Sequence, residues 1–276
     1  MTRGRHAYIV VFGNEKGGSG KTTTSVHLIA GLMWAGFTVA SIDLDGRQRS
    51  LTRYLENRQA TMRAEGADLP CPNHHVMTTS TLDSVRAARA EDHESLASLV
   101  ATLAVSHDFI VIDCPGSDAH LSRAAHRLAD TLITPLNDSL LDLDMVVRLD
   151  PVGGGFEGAG AYAAMVVEQR RQRLARGGAG MDWILLRNRM SPLGSRNSAM
   201  IGDLLDSLSR QVGCRIAKGV RERVIYRQLF LRGLTVLDLT AAQGGGDAAC
   251  KAAQAEIREL LDALWLPSLS RRIARM

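Results

Sequence analysis

Eleven consecutive residues, Gly13-Asn14-Glu15-Lys16-Gly17-Gly18-Ser19-Gly20-Lys21-Thr22-Thr23, bring small residues, two lysines and two threonines together near the start of the chain. Small residues let backbone N–H groups converge on phosphate oxygens, and a helix beginning at the end of such a loop adds positive potential. Lys21 would then supply a cation for β and γ phosphates, and the Thr22 hydroxyl an oxygen ligand for Mg²⁺. Glu15 stands where G-x-x-x-x-G-K-[ST] requires its first glycine, and the remaining K-G-G-x-G-K-T is a more specific pattern than the one it departs from. The cation type adds an independent argument. Only Lys16, Lys21, Lys218 and Lys251 are lysine among 33 basic residues, so both loop cations being lysine has a chance of about one in a hundred. A crowded phosphate cradle favours a compact ammonium over a planar guanidinium.

Three acids extend the site. Asp43 and Asp45 are separated by Leu44, which directs their carboxylates to opposite sides of the chain. One can hold a magnesium-bound water while the other orients the attacking water. Asp113 follows the apolar run Phe109-Ile110-Val111-Ile112 and precedes the turn Cys114-Pro115-Gly116. Strand-end aspartates often cap helices, but three at the carboxyl edge that also holds the loop point to phosphoryl transfer by positioning and charge.

The elements that must place these groups are short apolar strands alternating with helical patterns. Tyr8–Phe12, Phe37–Ile42, Phe109–Ile112, Thr131–Thr134 and Trp183–Leu186 read as strands buried on both faces. Helical spacing follows the loop at Val26, Leu28, Ile29, Leu32 and Met33, and recurs at 94–106, 121–129 and about 248–264. The pattern predicts a single α/β P-loop domain over 1–276, with a mostly parallel twisted sheet flanked by helices on both faces. Residues 64–80 read as a surface loop in which His74 and His75 are solvated, 153–160 as a flexible glycine loop, Gly244–Gly246 as a linker and 267–276 as a short frayed tail.

Composition narrows the class. With 45% apolar residues in 276, the chain can bury a sizeable core, and its twelve aromatics are too few for base-stacking platforms. Cys71, Cys114, Cys214 and Cys250 form no C-x-x-C pair, and the apolar start runs into Asn14-Glu15-Lys16 without a cleavage site, so a cytoplasmic protein is expected. The uncharged stretch Thr22–Ile42 reads as helix, turn and strand, broken at Gly36, instead of a membrane span. The net charge of +4 is uneven: residues 170–232 hold 14 basic and four acidic residues, which predicts a polyanionic partner.

The loop, Asp43-Leu44-Asp45 and the Asp113-Cys114-Pro115-Gly116 turn resemble the deviant Walker A ATPases of the ParA/MinD family. Ile42–Asp45 with Arg47-Gln48-Arg49, Asn137-Asp138-Ser139, Leu186-Arg187-Asn188-Arg189 and Arg223–Arg227 are similar to its MipZ branch. The resemblance implies ATP and Mg²⁺ as cofactors, with Gly17, Gly18, Ser19, Gly20, Lys21, Thr22 and Thr23 on the nucleotide. It also implies a homodimer formed with ATP, in which Lys16 reaches the partner subunit's phosphates, and slow hydrolysis through Asp45. Asp43 and Asp113 would act on magnesium through water, and Asn188 would read adenine. For partners it implies nonspecific DNA met by Arg196 and Arg221 with Lys218 beside them, a ParB-like centromere-binding protein, and FtsZ, whose assembly it would inhibit; the expected location is the nucleoid. Ser198-Ala199-Met200 is less basic than that branch, which leaves Arg170, Arg171, Arg173 and Arg176 as further DNA candidates. ParA-type partitioning, a MinD-like membrane cycle with Leu266–Met276 as its anchor, a metabolic ligase and a nitrogenase-type reductase are the competing readings.

Overall fold

The computed structural model describes residues 7–117, 119–190, 196–240 and 245–274. Its elements run β1 (Tyr8–Phe12), α1 (Lys21–Trp34), β2 (Val39–Asp43), α2 (Ser50–Glu65), β3 (Asn73–Val76), α3 (Val85–Ala104) and β4 (Phe109–Asp113). They continue with α4 (His120–Leu128), β5 (Thr131–Asn137), α5 (Leu140–Leu143), β6 (Val147–Leu149), β7 (Phe156–Ala159), α6 (Ala161–Ala175) and β8 (Asp182–Met190). Last come α7 (Arg196–Val212), β9 (Arg215–Arg221), α8 (Val224–Phe230), a 3-10 turn at Val236–Asp238, α9 (Ala248–Asp262) and α10 (Pro267–Ile273).

Seven strands form one sheet in the order β3-β2-β4-β1-β5-β8-β9, while β6 and β7 make a separate antiparallel ribbon. The pairings of β1 with β5, β2 with β3 and β4, and β8 with β5 and β9 are all parallel. Every residue of β2 and β4 is buried, as uninterrupted apolar strands between helical layers require. The α/β class read from the sequence is the observed one.

Several boundaries differ from expectation. The 64–80 loop contains β3, an edge strand whose Asn-His-His-Val sequence lacks any apolar pattern because its identity comes from backbone pairing to β2. Its histidines are not simply solvated: Ser41 Oγ lies 2.8 Å from His74 Nδ1, and Thr52 Oγ1 lies 3.0 Å from His74 Nε2. The 153–160 glycine loop includes β7, which closes the ribbon with β6. The helix expected at 94–106 starts at Val85, where Ser84 caps it by accepting from Ala87 N. The tail at 267–276 holds α10, which buries Leu269 and Ile273 while Arg272 stacks 4.2 Å over Phe37. Gly244 of the expected linker lies outside the described residues.

Thr22–Asp113 and Arg223–Met276, with the residues up to Ile9, form one compact unit; Val10–Lys21 and Cys114–Glu222 form the other. The first is pinned by Arg58, whose Nη1 and Nη2 donate to the two oxygens of Asp238 at 2.7 and 2.8 Å. Trp34 Nε1 and Thr235 donate to the same carboxylate. Burial opposes the Asp238 charge, but these hydrogen bonds outweigh it and hold the carboxyl below its usual range. In the second unit, fully buried Trp183 donates to Thr134 Oγ1 at 3.0 Å. His126 is also buried, and it lies so close beneath Gly13 that a Cβ there would be 2.2 Å from its Nε2.

Candidate nucleotide site

The loop leaves β1 at Gly13 and is tied down residue by residue within the second unit. Gly13 N donates to Ile133 O at 3.0 Å, Asn14 Nδ2 to Pro135 O at 2.7 Å, and Lys16 N to Asn14 Oδ1 at 2.8 Å. Lys21 is 7% exposed, and its ammonium curls back to donate to Lys16 O at 2.9 Å, inside the ring of backbone the glycines create. Asn188 Nδ2 donates to Ser19 O at 2.8 Å, and Asn137 Nδ2 to Gly18 O at 3.4 Å. Gly20 has φ +90°, and a Cβ on it would lie 1.9 Å from Asn188 Nδ2, so any other residue here would be strained and would displace the Asn188 amide.

Three observations fit a phosphate-bearing ligand here. Nothing lies within 4 Å of where a Cβ would stand on Gly17 or Gly18. Both are exposed, and buried Ser19 carries a hydroxyl with no hydrogen-bond partner. The helix opening at Lys21 has no acidic residue in its first turn, which keeps its positive end available to an anion. Among the described residues no cluster of three or more His, Cys, Asp or Glu could hold a metal directly. A divalent cation here would therefore take a hydroxyl, phosphate oxygens and waters, as Mg²⁺ prefers.

The first unit gathers the hydroxyl and the acids. Thr22 Oγ1 donates to Asp113 Oδ2 at 2.7 Å. Asp43 and Asp113 are register partners at the carboxyl ends of β2 and β4, and Leu44 N donates to Asp113 O at 3.0 Å. Buried Asp43 takes Asp45 N on one oxygen and both Thr52 N and Thr52 Oγ1 on the other. Asp45 is partly exposed and accepts from Gln48 N at 2.9 Å, so the two carboxylates do have different surroundings. Thr23 lies in the first turn of α1.

Some participants carried no sequence signal. Lys16 Nζ is paired with Asp142, a buried residue of α5 that lies 126 positions away. Asp142 is one acid among 29, and only the Ser139 cap of its helix hints at its placement. Asn188 was singled out as an adenine reader, and here its amide supports the loop. Of the DNA candidates, Lys218 and Arg221 are exposed on β9, and Arg196 opens α7 with its side chain outside the described residues. Arg170 donates to Val212 O, Arg171 pairs with Glu168, and Arg173 pairs with Asp130, so these three are engaged within the chain.

Comparison with known proteins places this geometry. MinD from Helicobacter pylori is 30% identical over 157 residues, 52% of this chain and 59% of that protein. The maintenance of carboxysome distribution protein A from Halothiobacillus neapolitanus is 25% identical over 236 residues, 85% of this chain and 89% of that protein. The chain spans less than two thirds of the length of the first curated relatives it matches. Its fold resembles that of Cyanothece McdA complexed with ATP, with a TM-score of 0.59 at 19% identity over 92% of this chain and 97% of the other. It also resembles MinD from Pyrococcus horikoshii complexed with Mg-ADP, with a TM-score of 0.57 at 20% identity over 93% and 96%. Residues 8–268 match the family described as ATPase MipZ, and the chain belongs to that family, within the ParA/MinD group.

Proposed function

We propose that this chain is an ATP-driven dimerisation switch that hydrolyses ATP slowly and positions the division site. In this reading bound ATP would supply the γ-phosphate whose presence holds two copies together, and Mg²⁺ would offset its charge. The chain's own residues do the rest. The loop amides and Lys21 orient the phosphates, and Thr22, already joined to Asp113, offers its hydroxyl to the cation. Asp45 orients the water, with Asp43 fixing the backbone that carries it. Lys16 leaves Asp142 to reach the partner's phosphates. The ATP-formed dimer binds DNA nonspecifically through Lys218 and Arg221 with Arg196, meets a ParB-like protein, and inhibits FtsZ assembly; its place is the nucleoid.

The observation that carries this reading is the 2.7 Å Thr22–Asp113 bond in a chain matched to the MipZ family over 8–268. A MinD-like membrane cycle gains less support, because α10 buries Leu269 and Ile273 in its own unit. Among the described residues no helix is long and apolar enough to cross a membrane.

Gel filtration of the wild type and Asp45→Ala with ATP and with ADP, followed by DNA binding on the same samples, tests the proposal. The expected result is a dimer only with ATP, persistent in Asp45→Ala, and DNA binding confined to it. A monomer in every state would end the switch reading. A dimer that ignores DNA would remove the DNA partner and leave the switch.

A further inference from the structure

The first unit holds a concentration of positive charge that the basic second half of the chain does not account for. A cavity of about 410 Å³ opens beside the first turn of α2, lined by Arg47, Gln48, Arg49, Thr52, Arg53 and Glu56. That volume is within the range of small-ligand sites, about 300–1,000 Å³. Its lining differs from theirs, with no aromatic or aliphatic residue on which a base or acyl chain could rest. Among the described residues Glu56 is ion-paired with Arg53 alone, at 4.0 Å, with both side chains more than half exposed. One carboxylate fills one guanidinium fork, whereas three forks around one cavity call for the several oxygens and multiple charge of linked phosphoryl groups.

The walls of this cavity are also the turn that carries the candidate hydrolytic acids. Gln48 N donates to Asp45 Oδ1 and Arg49 N to Asp45 O at 2.8 Å. Thr52 N and Oγ1 both hold Asp43 Oδ2, at 3.0 and 2.9 Å. Arg49 has a left-handed backbone, φ 50° and ψ 42°, which non-glycine residues adopt only under strain. A ligand drawing on Arg49 therefore acts on a strained residue one hydrogen bond from Asp45.

We infer that this cavity binds an oligophosphate group and that its occupancy is transmitted to Asp43 and Asp45. The transmission rests on the proposed role of Asp45 in hydrolysis, and the binding does not. The test titrates sodium tripolyphosphate by calorimetry into the full chain saturated with Mg-ADP, magnesium in excess, at about 0.15 M salt. The expected result is one saturable site in the wild type, at least about tenfold weaker in Arg49→Gln/Arg53→Gln, whose ADP affinity changes less than about twofold. Absence of saturation, equal binding by the double variant, or loss of the signal once ADP is bound overturns the site. Tighter binding of a glutamate-rich peptide overturns the ligand class.

Single-turnover ATP hydrolysis with and without tripolyphosphate tests the transmission. A change of about threefold or more in the wild type, absent in the double variant, supports it. Bound tripolyphosphate with an unchanged rate overturns it. If no sample hydrolyses ATP, the Asp45 reading fails, while the titrations still decide the cavity.

Discussion

The phosphate loop and the arginine-rich stretch 170–232 use positive charge in opposite ways. The loop has two cations, one donating to the loop's own carbonyl and one paired with Asp142. The stretch has fourteen, and at least seven are engaged by the chain itself: Arg170 with Val212 O, Arg171 with Glu168, Arg173 with Asp130, Arg187 with Asp138, Arg215 with Asp182, Arg223 with Glu256 and Arg232 with Glu65. Five of the six acids in these pairs, Asp130, Asp138, Glu168, Glu65 and Glu256, lie outside 170–232. A window of sequence counts its cations without the distant carboxylates that neutralise them, so its excess overstates the surface charge. The count alone therefore overstates the expectation of a broad polyanion surface.

The comparison breaks most sharply at Lys21. If the loop needs a compact ammonium inside a ring of amides, Lys21→Ala should weaken ADP binding on the order of a thousandfold, about 4 kcal/mol. Lys21→Arg should be nearly as damaging despite conserving charge, because the guanidinium does not fit where Lys21 Nζ sits. Calorimetric titration of both variants measures this, and an arginine variant that binds like the wild type would remove the steric argument drawn from lysine usage.

A second effect comes from the floor of the loop and the helix it opens. Burial lowers His126 to about 3, helped by Arg127 and Arg123, and burial lowers His27 to about 4 against the Thr23 carbonyl that raises it. Both imidazoles are neutral in the fold and take up protons on unfolding below the ordinary value of about 6.5. Stability is therefore fully present above that pH and lost as pH falls towards about 4. Between pH 6.5 and 5 the two groups together should remove about 3 kcal/mol. Urea unfolding at the two pH values checks it; a loss of about half that would mean that one ring is hydrated or already paired, and no loss that both are.

How much could be read from the chain follows the same division. The placement of the glycine loop between β1 and α1, and of Asp43 and Asp113 at strand ends, was legible because it follows from consecutive residues and clear apolar runs. β3 was not, since an edge strand is specified by the backbone of β2 and leaves His74 and His75 looking like loop residues. β9 was equally hidden, because Arg-Ile-Ala-Lys-Gly-Val-Arg is only half buried at the other edge. Asp142 and Asp138, which meet Lys16 and Arg187, lie 126 and 49 positions from their partners. No local pattern encodes a pairing at that separation.

The next test concerns the engaged arginines. Arg187 donates to Asp138 and to Ser198, with side chains only 16% and 7% exposed at the ion pair. Arg187→Ala strands a largely buried carboxylate and should destabilise the second unit by about 2–3 kcal/mol, measured by urea midpoint. A neutral result would return Arg187 to the pool of surface charge and reopen the wider polyanion surface.

The smallest effects should compare an ion-paired helix arginine with the exposed cations of β9. Arg171 and Glu168 lie one turn apart on an open helix face, an exposed pair whose removal should leave the urea midpoint and the DNA affinity unchanged. Lys218→Ala/Arg221→Ala should weaken DNA binding by the ATP-bound dimer about tenfold, about 1.4 kcal/mol, and lower the salt slope by about two. Fluorescence anisotropy on a labelled duplex across a salt series measures both variants. If Arg171→Ala loses as much affinity as the β9 double variant, charge in 170–232 acts collectively. If only the β9 variant loses it, contact with a polyanion is local to the exposed cations of β9.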